Sequence, residues 1–246
     1  MERRIPPARE ALAVFDELRA RVAAANRELV RAGLVELTFG NASAADHDAG
    51  VMAIKPSGVA YDDLDANAIP VLDIASGELI AGDRRPSSDT PTHLALYRSF
   101  DEVGGVVHTH SPFATAWAQA RRELPCFGTT HADHFRGGVP VTRPLEPAEI
   151  QTAYEEQTGA VIVETFRELE LNPLSRPAVL VASHGPFAWG VSVEDAVENA
   201  VALEAVAASA FRTLLLRPEV ELIQPELLAK HFDRKHGPAA YYGQEL

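Results

Sequence analysis

Apolar residues at Leu12, Phe15, Leu18, Val22 and Ala25 recur every three or four positions. That is the period of a helix with one buried face, and it predicts a helix from Pro7 to about Val30. Pro6-Pro7 stand at its start and Gly33 lies past its end, the polarity that helix boundaries favour. The pattern then shortens into apolar runs of three to five residues flanked by turn formers. Val35–Thr38, Val51–Ile54, Val71–Ile74 and Glu78–Ile80 predict strands, the last two facing each other across Ser76-Gly77 as a hairpin. Thr92 to about Phe100 reads as a helix, Val103–Thr109 as a strand, and Pro112–Arg122 as a helix opened by proline. Val139–Thr142 predicts a further strand, and Pro147 to about Leu171 a long helix interrupted near Thr158-Gly159. Ala178–Ala182 is a solid apolar run, as in a buried strand. Ser192, with Asp195 three residues on, caps a helix reaching about Leu216, and Pro225–Lys235 is helical again.

Strands and helices interleave without strict strand–helix–strand order. The expectation is one α/β domain with a mixed, largely antiparallel central sheet flanked by helices. The length of 246 residues suits that, and 46% hydrophobic with 23% charged residues is ordinary globular composition. No apolar run approaches the roughly 20 residues of a membrane-spanning helix, so no membrane partner is expected. The start MERRIPPARE has no apolar stretch behind its basic residues, and no signal peptide is expected. A single cysteine, Cys126, excludes an internal disulfide framework, which fits a reducing cytoplasm. The net charge of −13 with no basic stripe argues against a nucleic-acid partner. An anionic substrate would have to be held by a local device against the overall field.

Three constellations carry chemistry. The first is His108-Thr109-His110 at the end of the Val103 strand. Residues two apart on a strand project to one side, so the two imidazoles point together, a ready grip on a divalent metal. His184, in Ser183-His184-Gly185-Pro186 after the Ala178 strand, supplies a third imidazole, and Asp89 a fourth ligand or a base beside the metal. Ordinary strand-end and loop histidines are the alternative. Three imidazoles suit zinc and tolerate manganese or cobalt.

The second constellation is a set of short polar turns, Gly40-Asn41, Lys55-Pro56-Ser57-Gly58 and Ser87-Ser88-Asp89-Thr90. The last opens a helix, whose free N–H groups suit a phosphate; plain helix capping is the competing reading. The third is acid–base equipment: Thr129-Thr130-His131-Ala132-Asp133-His134, and the tail Tyr241-Tyr242. The first of these also reads as a polar surface loop. The tail tyrosines are an odd feature for a terminus unless it docks.

The stretches LTFGNAS, IKPSGV, PSSDTPTH, VVHTHSPFATAWAQA, GTTHADHF, VIVETF, SHGPFAWG, EDAVENA and KHGPAAYYGQ run from Leu37 to Gln244. Together they resemble the class II aldolase family, and several resemble its epimerase branch. The resemblance implies a catalytic domain over 14–246 behind an extension at 1–13. It makes His108, His110 and His184 metal ligands with Asp89 at the metal; the aldolase branch has glutamate there and uses it as the base. Gly40, Asn41, Lys55, Ser57, Gly58, Ser87 and Ser88 match substrate and phosphate contacts. Asp133 and Tyr242 match an acid–base pair, with Thr129, Glu155 and His231 in support. His134 departs from the pattern, which has tyrosine. The implied activity is metal-dependent inversion at C4 of a phosphorylated ketopentose, between the L-ribulose and D-xylulose 5-phosphates. A homotetramer with active sites between subunits is implied as well. An aldolase on a related sugar phosphate is the alternative, and a metal-free interaction module a more distant one.

Overall fold

A computed structural model describes residues 8–238 and 240–241. The first amphipathic stretch forms α1 (Ala8–Arg31), which runs unbroken across the expected 13/14 boundary. The chain then builds seven strands: β1 (Asn41–Asp46), β2 (Val51–Ile54), β3 (Val71–Asp73), β4 (Leu79–Ala81), β5 (Gly105–His108), β6 (Ala178–Leu180) and β7 (Pro186–Gly190). They form one sheet in the order β4-β3-β2-β1-β5-β7-β6, and every ladder is antiparallel. The remaining helices are α2 (Thr90–Ser99), α3 (Pro112–Ala120), α4 (Thr129–Ala132), α5 (Pro147–Glu168), α6 (Val193–Leu216) and α7 (Pro225–His236). This is the expected α/β architecture.

Strand alternation sends side chains into two separate cores. Val107 and Ala188 face α1, α3 and α6, where Leu18, Val22, Leu29, Ala114, Leu203 and Val206 are buried. Val106, Phe187 and Trp189 face the opposite side, with Leu94, Tyr97, Ile162 and Phe166 of α2 and α5. Position 108 has the parity of 106, so His108 lies on the α2/α5 side, where the Phe187 ring stacks on it at 4.2 Å. α6 is long and apolar enough to cross a bilayer by length and composition alone. Its buried side chains, among them Val197, Ala200 and Ala207, pack into the first core.

The structure corrects four local expectations. Val35–Thr38 is no strand: Leu37 takes φ +53° and Phe39 N–H donates to Glu36 O, closing a turn. The strand next to β5 is instead β1, made of small and polar residues. Val139–Thr142 makes only isolated bridges, Val139 to Leu124 and Val141 to Leu180. α5 breaks at Ala153, where φ is −154° and ψ 61°, and not at Thr158-Gly159. The run Thr129–Ala132 is a short helix, with His131 buried and bonded through Nε2 to Gly137 O at 2.8 Å. Burial pushes the His131 pKa down to about 4, so it is a satisfied core histidine.

Candidate metal centre and anion pocket

β5 ends at His108, and the chain continues through Thr109 to His110. β1 begins directly opposite, Asn41 pairing with His108. Gly40 passes so close that a Cβ there would lie 2.7 Å from His108 O, and its φ is +85°; only glycine fits both demands. His184 comes from the turn between β6 and β7, where His184 N–H donates to Val181 O and Val181 N–H to Gly185 O. That turn lies against β5's extension, for a Cβ on Gly185 would stand 2.8 Å from Thr109 O.

The result is a cluster. One donor atom each from His108, His110 and His184 lies within 4.8 Å of the others. His108 and His110 bring their Nε2 atoms to 3.1 Å. His108 Nδ1 is 2.9 Å from Pro186 O, so Nδ1 carries the proton and Nε2 the lone pair. Burial first, then repulsion from His184, holds His108 well below the usual imidazole range. His110 and His184 are lowered as well, again mainly by burial, and Asp89 partly offsets the effect in both. All three are thus favoured in the neutral form that metals bind. Converging imidazole lone pairs fit a divalent cation in a site that keeps positions open for water or substrate.

Asp89 is not one of the three converging donors. It occupies the N-cap of α2, yet its carboxylate makes no cap bond. Instead Asp89 Oδ2 accepts from Asn41 Nδ2 at 2.6 Å, and Asn41 Nδ2 also lies 3.2 Å from Ser87 Oγ. Capping therefore does not explain this aspartate. Asn41 Oδ1 is buried without a partner among the described residues, an acceptor left for a ligand.

Two polar turns meet at the same place. Ser57 N–H donates to Arg85 O and Ser87 N–H to Lys55 O, stitching the Lys55–Gly58 turn to the Pro86–Ser88 turn. Lys55 is buried, forms no ion pair among the described residues, and lies 4.8 Å from the Tyr61 ring centroid. Burial lowers its pKa. The Tyr61 hydroxyl in turn reaches Phe39 O and Gly40 O at 2.9 and 2.8 Å, bracing the approach to β1; no sequence motif singles out Tyr61. Around these groups is a cavity of about 360 Å³, lined by Gly40, Asn41, Lys55, Ser57, Gly58, Ser87, Ser88, Asp89 and the three histidines, with Phe39 at its edge. The size is that of a small-molecule site.

Four expected site residues, Asp133, His231, Thr129 and Glu155, do not line this cavity. Asp133, just after α4, accepts from Arg234 Nε and Nη2 at 3.1 and 2.9 Å, and His231 Nδ1 is 3.0 Å from its Oδ1. Burial alone would raise the Asp133 carboxyl, but the Arg234 and His231 bonds outweigh it and leave it below its ordinary value. Thr129 is on α4 and Glu155 on α5, and neither lines the cavity. Tyr242 lies outside the described residues. The residue missed altogether is Tyr154, whose hydroxyl is 3.2 Å from His184 Nδ1.

The family profile of the class II aldolase and adducin N-terminal domain matches residues 20–211. An L-fuculose 1-phosphate aldolase structure is similar at 25% identity and TM-score 0.74, covering 89% of this chain and 95% of that one. YgbL from Escherichia coli, whose activity is described only as aldolase/epimerase/decarboxylase, is 26% identical with TM-score 0.70, over 88% and 98%. The L-fuculose-1-phosphate aldolase of Thermus thermophilus, 22% identical with TM-score 0.66 over 83% and 98%, shares the fold. The chain belongs to the class II aldolase and adducin N-terminal domain family. Within it, the histidine triad and the sugar-phosphate aldolase neighbours mark an enzyme of the class II aldolase superfamily with a site able to hold a divalent metal.

Proposed function

We propose that this chain is a divalent-metal-dependent epimerase that interconverts L-ribulose 5-phosphate and D-xylulose 5-phosphate. The observation that carries the reading is one cavity joining three neutral imidazoles, two stitched polar turns and a buried lysine without an ion pair among the described residues. The C4 proton of such a sugar is one carbon too far from the C2 carbonyl to be acidic. Inversion at C4 therefore proceeds by breaking and remaking the C3–C4 bond.

When bound at His108, His110 and His184, a zinc ion, or manganese or cobalt, supplies Lewis acidity toward the oxygens of the C2–C3 unit. Asp89 beside it serves as a fourth ligand or as a base, its Oδ2 accepting from Asn41 Nδ2. Lys55 and the Ser57-Gly58 and Ser87-Ser88 turns hold the phosphate. A base takes the C4 hydroxyl proton, the C3–C4 electrons pass to the three-carbon fragment, and glycolaldehyde phosphate forms. Held by its phosphate, the aldehyde turns its other face, the bond reforms, and an acid returns the proton to the C4 oxygen. The two C4 epimers need proton-transfer groups on opposite faces; Asp133 and Tyr242 take these roles, with Thr129, Glu155 and His231 in support. Asp133 lies outside the cavity lining of its own chain, which supports a homotetramer whose sites are completed by a neighbouring subunit. Residues 14–246 form the catalytic domain in this reading.

An aldolase on a related sugar phosphate is the second reading, since L-fuculose 1-phosphate aldolase is a neighbour. Aspartate at position 89, where the aldolase branch carries glutamate, favours the epimerase. The test is incubation with L-ribulose 5-phosphate, following D-xylulose 5-phosphate and free glycolaldehyde phosphate with and without a chelator. Xylulose 5-phosphate should form without free fragments, stop on chelation and resume on adding zinc. Fragments accumulating at the rate of turnover would make the enzyme an aldolase.

A further inference from the structure

Helix α5 is broken one residue before Tyr154. Ala153 has φ −154° and ψ 61° within Pro147–Glu168, so the helical ladder is interrupted and Tyr154 opens its second segment. Neither glycine nor proline occupies position 153, and local sequence does not dictate the break. Contacts with α2 hold it. Thr92 Oγ1 of α2 donates to Glu155 O, immediately after the break. One turn on, Gly159 lies so close to α2 that a Cβ would stand 2.5 Å from Ala95 Cβ and 3.2 Å from Thr92 Cα. The same α2 has Asp89 at its N-cap. The second segment of α5 is thus fixed to the helix that carries the anion turn and the aspartate beside the histidines.

The break sets Tyr154 against the histidine cluster. Its hydroxyl is 3.2 Å from His184 Nδ1, and the two ring centroids are 6.0 Å apart. A neutral imidazole that binds a metal through one nitrogen carries its proton on the other, and the partner of that proton fixes tautomer and ring orientation. His108 has a backbone partner for its Nδ1, Pro186 O. For His184 the atom in the corresponding place is a side-chain hydroxyl, on a tyrosine 36% exposed. No resemblance or comparison assigns Tyr154 a role.

We propose that Tyr154 is a positioning residue of the metal centre: its hydroxyl accepts the His184 Nδ1–H, keeps Nε2 as the nitrogen that faces the metal, and reaches that place because α5 breaks at Ala153. The proposal rests on the three histidines being metal ligands. It does not depend on which sugar phosphate is turned over.

The test uses the full-length protein stripped of metal and without substrate. Zinc affinity is measured by competition with a chromophoric chelator for wild type and Tyr154→Phe, which removes the hydroxyl and keeps the ring. The variant should bind zinc about ten- to a hundredfold more weakly, the usual effect of losing a ligand's outer partner. The melting temperature of its metal-free form should match wild type. Long-range 1H–15N spectra of the zinc-loaded wild type should show His184 protonated at Nδ1, with that proton exchanging faster in the variant. Equal zinc affinity in the two proteins would overturn the proposal, as would a loss of affinity matched by a lower melting temperature of the metal-free variant. Failure of the wild type itself to bind zinc would sink the three-histidine reading, and this inference with it.

Discussion

Burial by itself does not tell a metal-binding histidine from a structural one in this chain. His93, His108 and His131 are all buried, and burial lowers all three, His93 to about 3 and His131 to about 4. His131 spends its Nε2 on Gly137 O. His93 Nδ1 faces Ser43 Oγ at 2.7 Å, and that hydroxyl also meets Tyr97. What separates His108 is that its free nitrogen converges with two others. Replacing His110 by asparagine, which keeps a polar side chain of similar reach but removes the imidazole donor, should therefore strip metal and activity together. The fall in zinc affinity should exceed the roughly ten- to hundredfold of an outer partner. Elemental analysis of the dialysed protein beside an activity assay checks this; a fully metallated, active variant would remove His110 from the ligand set. The His108–His110 pair is legible in the sequence because strand alternation is a local rule. Tyr154 is not, because its position depends on a helix break held by α2, a tertiary contact with no local signature.

At the scale of elements, the sequence marks helices better than strands. α1, α3, α6 and α7 match the apolar period and the proline and serine boundaries closely. β1 carries no strand signal, because Asn-Ala-Ser-Ala-Ala-Asp has neither branched nor aromatic residues; it is a strand because β2 and β5 pair with it on both sides. Gly159 reads as an interruption in sequence, whereas the structure uses it for close packing. Gly159→Val should overpack the α2–α5 contact and destabilise the fold by about 1–3 kcal/mol, with zinc affinity falling as Tyr154 is displaced. Denaturant unfolding and zinc titration of the same preparation test it, and an unchanged unfolding midpoint would refute the packing argument. The α4–α7 contact yields a pH prediction. Arg234 and His231 hold Asp133 below its ordinary pKa. The stabilisation from this pairing is present above the unfolded value of about 3.9 and lost as pH falls through the lower folded value. In Arg234→Met the Asp133 carboxyl rises. The acidic limb of kcat/KM should then move to higher pH, provided Asp133 transfers a proton in the reaction. An acidic limb that stays in place would take Asp133 out of the mechanism.

For the whole molecule, the proposed reaction asks how two separated groups of residues could serve one site. The histidines, Asp89 and the two polar turns share a cavity at the ends of β1 and β5, while Asp133 is tied to α7 and does not line it. In a chain of net charge −13, the buried Lys55 places a basic side chain at this cavity against the overall field, as the proposed phosphate site requires. If the acid–base group comes from a neighbouring subunit, each site takes its cavity from one copy and Asp133 from another, as a symmetric oligomer permits. Two inactive variants then complement each other. His110→Asn spoils only the cavity, and Asp133→Asn only the proton transfer, lowering turnover by about 10²–10⁴. Unfolded together and refolded as a one-to-one mixture, they should form some sites with both defects and others with none. Random assembly should restore about a quarter of wild-type activity, because one site in four pairs a sound cavity with a sound Asp133. The mixture is compared with each variant refolded alone, with assembly state followed by light scattering. Activity no higher than the average of the two separate variants, in a mixture that has assembled, would place the cavity and Asp133 in the same chain's site.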